Sequence, residues 1–453
     1  MTVRRRAARR RRRFESRCPE VAGPGQASSV RAERLRLGRQ WDEALERARA
    51  VEGFADFLRP ARVKTLLPAA SGGPIVVPVV STRRCDALVV TADGVEVVRL
   101  PGLTAEETVE RANRYVRTVL AMQKADEDFF HAKRRFAAGD RGPADFQAHH
   151  QARTELAGAR ARTEDVLDST ARWLWDAFAD PVLTALGLTG SISDEGGRPR
   201  LWWCPTGPMT LLPLHAAGHH DRGGPTVLDR VVSSYTPTLR VLLDDARDEE
   251  TWHGPGGGDR LLLVSVPEAG GQPPLPDADG ERELLTGSFP ADRVTCLAGA
   301  EATRARVLRE LNRHRWVHFS CHGDQDLGAP ASGGLIVHDG RITVAELGSG
   351  SRDGEFAFLS ACKTATGGVA LPNEAMSLAA ALRYSGYRHV LATLWSVYDT
   401  VAARIAADVY TELLASGRFR PETAATALDR AVRRLRERDP RPSAWTPFAH
   451  FGP

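Results

Sequence analysis

Six cysteines in 453 residues, at 18, 85, 204, 296, 321 and 362 and with no CxxC pair, are too few and too scattered for a disulfide framework or a zinc ribbon. Free thiols are the simpler reading. No apolar run approaches the ~20 residues needed to cross a bilayer. The N-terminus lacks the charged-then-apolar pattern and small-residue cleavage site of a secretory leader, so a cytoplasmic location is expected. A phosphate-cradling Walker loop is also missing, because the glycines between Gly254 and Gly258 are not followed by Lys-Ser/Thr. Nucleotide hydrolysis therefore has no support. No internal repeat is visible, which argues against a solenoid. Charge of either sign is nearly balanced at +4, yet residues 1–17 hold nine arginines against one glutamate, which leaves the remainder mildly acidic. That block reads as a solvated tail, or as a start placed too early in an arginine-rich frame. Contact with nucleic acid through Arg4–Arg6 and Arg9–Arg13 is the alternative.

The length suggests two or three compact units at ~150 residues each. Residues 1–29 form the arginine-rich tail and a Pro/Gly/Ser linker. Residues 30–190 form a helical region with a β-hairpin, expected to regulate or dock, and residues 191–453 form the main domain. An amphipathic helix is expected over 32–58, with Leu35, Leu37, Trp41, Leu45 and Phe54 as apolar points and Pro60 as its stop. Apolar runs at 75–80, 87–90 and 95–98, the last two split by Asp93-Gly94, predict a small antiparallel sheet. Thr104-Ala105-Glu106-Glu107 is a capping box that opens a helix through Tyr115, Val119 and Met122. A further helix carries Trp173 and Phe178 as a packing face.

From Leu201 onward, short apolar runs alternate with helical patterns, the mark of βαβ units and a parallel sheet. The expected strands are 201–204, 261–265, 294–297, 316–320, 335–337, 356–360 and 389–394. The expected helices are 237–246, 278–288, 303–311, 375–384, 397–414 and 422–437.

Two of these strands end in reactive side chains. One is closed by Cys321-His322-Gly323 and the other, some forty residues later, by Ser360-Ala361-Cys362. Open parallel sheets keep their sites at the carboxyl ends of their strands, so the pattern points to a cysteine hydrolase. A thiol near its free pKa of ~8.5 needs a neighbouring imidazole. His322 is the candidate base and Cys362 the candidate nucleophile. Gly323, without a Cβ, lets its amide approach a substrate carbonyl and, with the Cys362 amide, donate to an oxyanion. Cys321 faces the other side of its strand and packs inward, and His318 and His322 stand ~13 Å apart on a strand, which argues against a shared metal. His215, His219 and His220 read as solvated loop histidines.

The segment from residue 200 to 452 resembles a CHAT domain, a caspase-like module related to separase. His318-Phe319-Ser320-Cys321-His322-Gly323 is similar to that family's HFACHG element, and Leu359-Ser360-Ala361-Cys362 to its LSAC element. The stretch at 205–214, Leu275-Pro276 with Glu281, residues 332–340, the Leu394-Trp395 block ending at Asp399, and Trp445 with Phe448 are similar to flanking family segments. Lys363 departs from the Glu, Gln or Asn more common after the family's cysteine.

The resemblance implies an α/β caspase-like fold with a mainly parallel sheet flanked by helices, preceded by the helical region and hairpin. It implies a cysteine endopeptidase with Cys362 as nucleophile, His322 as general base and Gly323 as oxyanion donor, in a bacterial signalling or defence setting. By analogy with separase-like proteases, Asp399 would bind an arginine or lysine at P1. The alternative is that Asp399 caps the helix beginning near Thr400. No metal or other cofactor is expected. The expected partners are a protein substrate and an activating protein, with no membrane. A catalytically silent scaffold of the same fold is the rival reading.

Overall fold

The computed structural model describes residues 24–51, 61–138, 142–190, 197–220, 223–251, 259–270, 272–324, 332–349, 353–360 and 377–453. The chain divides into two units, residues 1–63 and 64–453. In the first, α1 (Pro24–Arg49) begins earlier than the expected 32–58. Leu37 and Trp41 stand half-exposed or more on it.

In the second unit an eleven-stranded sheet runs in the order β3-β2-β1-β4-β5-β14-β13-β12-β8-β6-β7. Its strands are β1 (Ile75–Val79), β2 (Asp86–Val90), β3 (Val95–Arg99), β4 (Arg200–Trp203), β5 (Val232–Tyr235), β6 (Leu261–Ser265), β7 (Val294–Ala298), β8 (Trp316–Ser320), β12 (Phe356–Ser360), β13 (His389–Thr393) and β14 (Phe448–Phe451). A second sheet of three strands contains β9 (Gly323–Asp324), β10 (Gly334–Val337) and β11 (Gly340–Thr343). β6, every residue of it buried, is the continuous apolar run expected of a strand covered on both faces.

The large sheet is two parallel blocks joined back to back. β1, β4, β5 and β14 run one way, and β13, β12, β8, β6 and β7 run the other, with the antiparallel pair β13–β14 as the seam. In the second block the chain passes from β6 out to β7, returns to β8 on the far side of β6, and continues to β12 and β13. The order reverses between β6 and β8. Ligands of open α/β sheets bind outside the carboxyl ends of the strands at such a reversal.

The hairpin expected as a small separate sheet is instead the edge of the large one. β1 pairs in parallel with β4, Ile75 opposite Trp202 and Val76 opposite Trp203, and β2 and β3 extend it. Ile75 and Val76 are both buried, so this strand needs cover on both faces, which a two-layer hairpin alone does not supply. The sheet thereby runs across residue 190, where the sequence suggested a boundary.

Helices cover both faces. α2 (Ala105–Ala138), α3 (Pro143–Leu174), α6 (Arg304–Leu311) and α7 (Leu378–Tyr384) put apolar residues into one core with Val317, Phe319 and Leu359. On the opposite face α5 (Ala278–Ser288), α8 (Asp399–Leu414) and α9 (Ala424–Arg438) pack with Trp316, Phe356 and Phe358. The alternation along β8 and β12 is the period-two pleat. α4 (Leu239–Thr251) covers β1 and β4 through Leu242 and Leu243.

Candidate active site

β6, β8 and β12 end level with one another. Ser265 lies opposite Ser320, and Ser320 opposite Ser360. Beneath this row of small polar residues is a buried network centred on Glu281 of α5. The His318 Nε2–H donates to Glu281 Oε2 at 2.9 Å and the Ser360 hydroxyl donates to Oε1 at 2.7 Å. The Tyr410 hydroxyl of α8 meets His318 Nδ1 at 3.2 Å, and the imidazole stacks on Phe358. Burial, then the Glu281 charge, pushes the Tyr410 phenol well above its ordinary range, so it remains protonated. Glu281 thus ties α5 to both β8 and β12, the strands that precede His322 and Cys362.

His322 follows β8 by two residues and is almost fully buried. Its Nε2 lies 2.7 Å from the Pro273 carbonyl oxygen. A carbonyl only accepts, so Nε2 carries the proton and the lone pair is on Nδ1. Nδ1 has no hydrogen-bond partner among the described residues. Burial lowers the His322 pKa below the ordinary imidazole value, opposed by the bond to Pro273. The ring is therefore a neutral base of fixed tautomer near pH 7.

Gly323 belongs to β9 and stands opposite Leu335 of β10. The Ile336 amide donates to the His322 carbonyl at 2.8 Å, which makes Gly323–Leu335 a non-hydrogen-bonded pair. The Gly323 N–H is consequently turned away from β10. On its other side β10 packs closely on β11, because Gly334 has no Cβ to meet the Ile342 carbonyl.

Asp399 is the first residue of α8, with Tyr398 as the N-cap. It does not cap its own helix through its side chain. Its Oδ2 accepts the backbone N–H of Asp277, the residue that precedes α5, at 2.5 Å. Burial pushes its carboxyl up to about 6; the Asp277 N–H opposes this, and the charges of Glu281 and Asp277 add to it. The loop before α5 therefore touches two candidate residues: Pro273 takes His322 and Asp277 takes Asp399. Cys362 lies outside the described residues, as does Lys363.

Other expectations divide. Cys321 packs in the core beside Phe319 and Val317, as its parity on the strand required. Among the described residues no group of three or more His, Cys, Asp or Glu has a metal-holding arrangement. Of the three histidines after Leu214, expected to be solvated, His215 is not, and His219 and His220 are partly exposed. His215 is buried between the Tyr235 hydroxyl at 2.8 Å and the Thr446 carbonyl at 3.0 Å. His219 meets Asp176 at 2.8 Å, and His220 packs on Trp445. A 3-10 turn at Leu214–Ala216 draws this loop into the molecule. Glu281, Pro273 and Tyr410 went unassigned in the sequence. The Leu275-Pro276…Glu281 pattern held the only signal, and it gave no hint that the carboxylate bridges two strands.

A mainly parallel sheet, covered on both faces and with a histidine leaving it at the strand-order reversal, defines the caspase-like α/β class. The chain belongs to the CHAT domain family, which matches residues 168–453. Two crystal structures of the Saccharomyces cerevisiae separase–securin complex, at 2.6 and 3.0 Å, share the fold with TM-scores of 0.53 and 0.54. Identity is 9% and 10%, and in each case 86% of this chain aligns with 30% of separase. At that identity the likeness is one of fold alone. No curated protein matches the chain. Among the described residues, no helix is long and apolar enough to cross a membrane.

Proposed function

We propose that the protein is a cysteine endopeptidase that hydrolyses peptide bonds of a protein substrate after arginine or lysine. The observation that carries this reading is His322, a neutral imidazole whose Nε2–H is held by Pro273, leaving Nδ1 as the basic nitrogen at the carboxyl edge of the sheet. In the sequence Cys362 follows Ser360 by the same two residues that separate His322 from Ser320, and Ser360 and Ser320 are in register at the ends of neighbouring strands. Strands in a sheet are ~4.8 Å apart, a spacing that suits proton transfer between a thiol and an imidazole.

In this mechanism His322 Nδ1 takes the thiol proton and the Cys362 sulfur attacks the scissile carbonyl carbon. The Gly323 and Cys362 amides hold the oxyanion, each such donor being worth on the order of 3 kcal/mol. The imidazolium gives its proton to the leaving amine, and the C–N bond breaks to leave a thioester. A water, deprotonated by His322, then releases the acid and the free thiol. Asp399 has one oxygen committed to Asp277 and the other open to a P1 guanidinium or ammonium. A cation there also relieves the burial that raises its pKa.

The test is labelling of the full chain by a peptidyl-arginyl electrophile. The expected result is covalent adduct on the wild type, none on Cys362→Ala, and slowed labelling of Asp399→Asn with an unchanged rate toward a neutral P1 probe. Equal labelling of wild type and Cys362→Ala would leave only a scaffold.

A further inference from the structure

The helices α2 and α3 run antiparallel, with Arg111 over Trp173 near one end and Phe136 against Phe146 near the other. Between them is a cavity of about 170 Å³ lined by Arg114, Arg117, Thr118 and Ala121 of α2 and by Ala159 and Arg162 of α3. Three exposed arginine side chains from two helices line it, with buried Ala159 at its base.

Three other arginines on these helices have acidic partners, while Arg134, Arg135 and Arg153 form no ion pair among the described residues. Arg111 pairs with Glu107 at 2.8 Å, Arg160 with Asp126 at 3.2 Å and Arg172 with Asp168 at 2.5 Å. Arg114, Arg117 and Arg162 form no ion pair among the described residues, and the only hydrogen bond they make there runs from Arg117 Nε to the Asn113 carbonyl at 3.3 Å. Three like charges held at one concavity raise the local potential and draw an anion from solution.

We propose that this cavity binds a phosphate-class oxyanion, either inorganic or as the phosphoryl end of a small metabolite. Planar guanidinium forks match the paired oxygens of a phosphoryl group, and the Thr118 hydroxyl adds a neutral donor. The volume falls below the ~300 Å³ at which drug-sized pockets begin. It accommodates one or two phosphoryl groups and leaves any remaining part of the ligand in solvent. The neighbouring residues brace the segment before Asp399: the ring of Tyr115 meets Trp395 edge-on at 5.8 Å, and Arg160 lies 5.1 Å over Tyr398. An anion bridging α2 and α3 therefore clamps the two helices that hold residues 395–398. The binding claim does not depend on peptidase activity.

Calorimetric titration of the full chain with sodium pyrophosphate, orthophosphate and ADP at constant ionic strength tests it. The expected result is saturable binding at one site, weakened at least tenfold in Arg114→Gln and in Arg162→Gln. Arg153→Gln, an exposed position of α3 outside the cavity, should bind as the wild type does. Preference for ADP would identify the phosphorylated metabolite, and preference for pyrophosphate the inorganic anion. An absence of saturable binding, or equal weakening by Arg153→Gln, overturns the proposal, the latter by reducing it to general charge attraction.

Discussion

The two ends of the second parallel block hold histidines in different settings. Just past the carboxyl end of β8, His322 has one ring nitrogen without a partner among the described residues. At the amino end of β13, level with Phe356 and so with Trp316, His389 Nδ1 meets His450 Nε2 at 3.2 Å. His450 Nδ1 meets the Ser234 hydroxyl at 2.7 Å, and Arg200 donates to the same hydroxyl at 2.6 Å. Arg383 closes that edge by donating to the Tyr387 and Arg388 carbonyls and pairing with Asp245. Burial first, and then nearby arginines, drives the His389 pKa well below 6.5; for His450, burial is followed by His389 and the same positive field. Both ends are buried and polar. What separates them is setting: His389 and His450 are bonded to each other amid buried arginines, whereas His322 is held by a backbone carbonyl just past the carboxyl end of β8.

The sharpest test of this contrast is a pair of substitutions. His322→Ala should lower kcat/KM on an arginyl peptide by about 10³-fold or more with little change in Tm. His450→Ala should leave kcat/KM within about twofold and lower stability by about 2 kcal/mol, because Ser234 and His389 lose their partner. Interchanged effects in activity assays and denaturant melts would break the comparison.

Glu281 gives the next largest effect. Glu281→Ala leaves the His318 donor and the Ser360 hydroxyl unmatched in the core and should destabilise the protein by about 3 kcal/mol. Chemical denaturation measures this, and Glu281→Gln, which keeps an acceptor, should recover part of the loss.

The buried histidines also predict a pH response. His215, His389 and His450 have folded pKa values below the unfolded 6.5, His215 at about 4, so only the unfolded chain takes up protons as pH falls. Stability is then fully present above pH 6.5 and declines below it. His215 alone contributes roughly 3 kcal/mol of this between pH 6.5 and 4. Thermal melts that stay flat from pH 7 to 4.5 would show that these rings are not neutral in the folded state.

The smallest expected effect is at Asp399. Its carboxyl titrates at about 6, so preference for arginine at P1 should fade as pH drops through that value while cleavage after a neutral P1 persists. Asp399→Asn should remove the preference at all pH values, by about tenfold in relative kcat/KM.

Much of the strand pattern was legible because buried parallel strands are continuous apolar runs. β6, β8 and β12 fall at the residues the sequence indicated, and α5 and α8 close to them. β5 and β14 were missed. Val232–Tyr235 mixes serines with apolar residues, and Phe448–Phe451 is four residues long, so neither carries a period. The attachment of β1 to β4 joins residues more than 120 apart, and no local pattern encodes a partner at that distance.

Sequence alone picked out the candidate side chains and determined that His322 would follow a buried strand, because burial and pleat are written in residue type and spacing. The level ends of β8 and β12, the Pro273 carbonyl that fixes the His322 tautomer, and the Asp277 amide that engages Asp399 were decided by tertiary structure. Each is a contact between segments far apart in the chain, made by backbone atoms that every residue possesses. Residue identity cannot announce such contacts; only the packing of α5 and its loop against the sheet creates them.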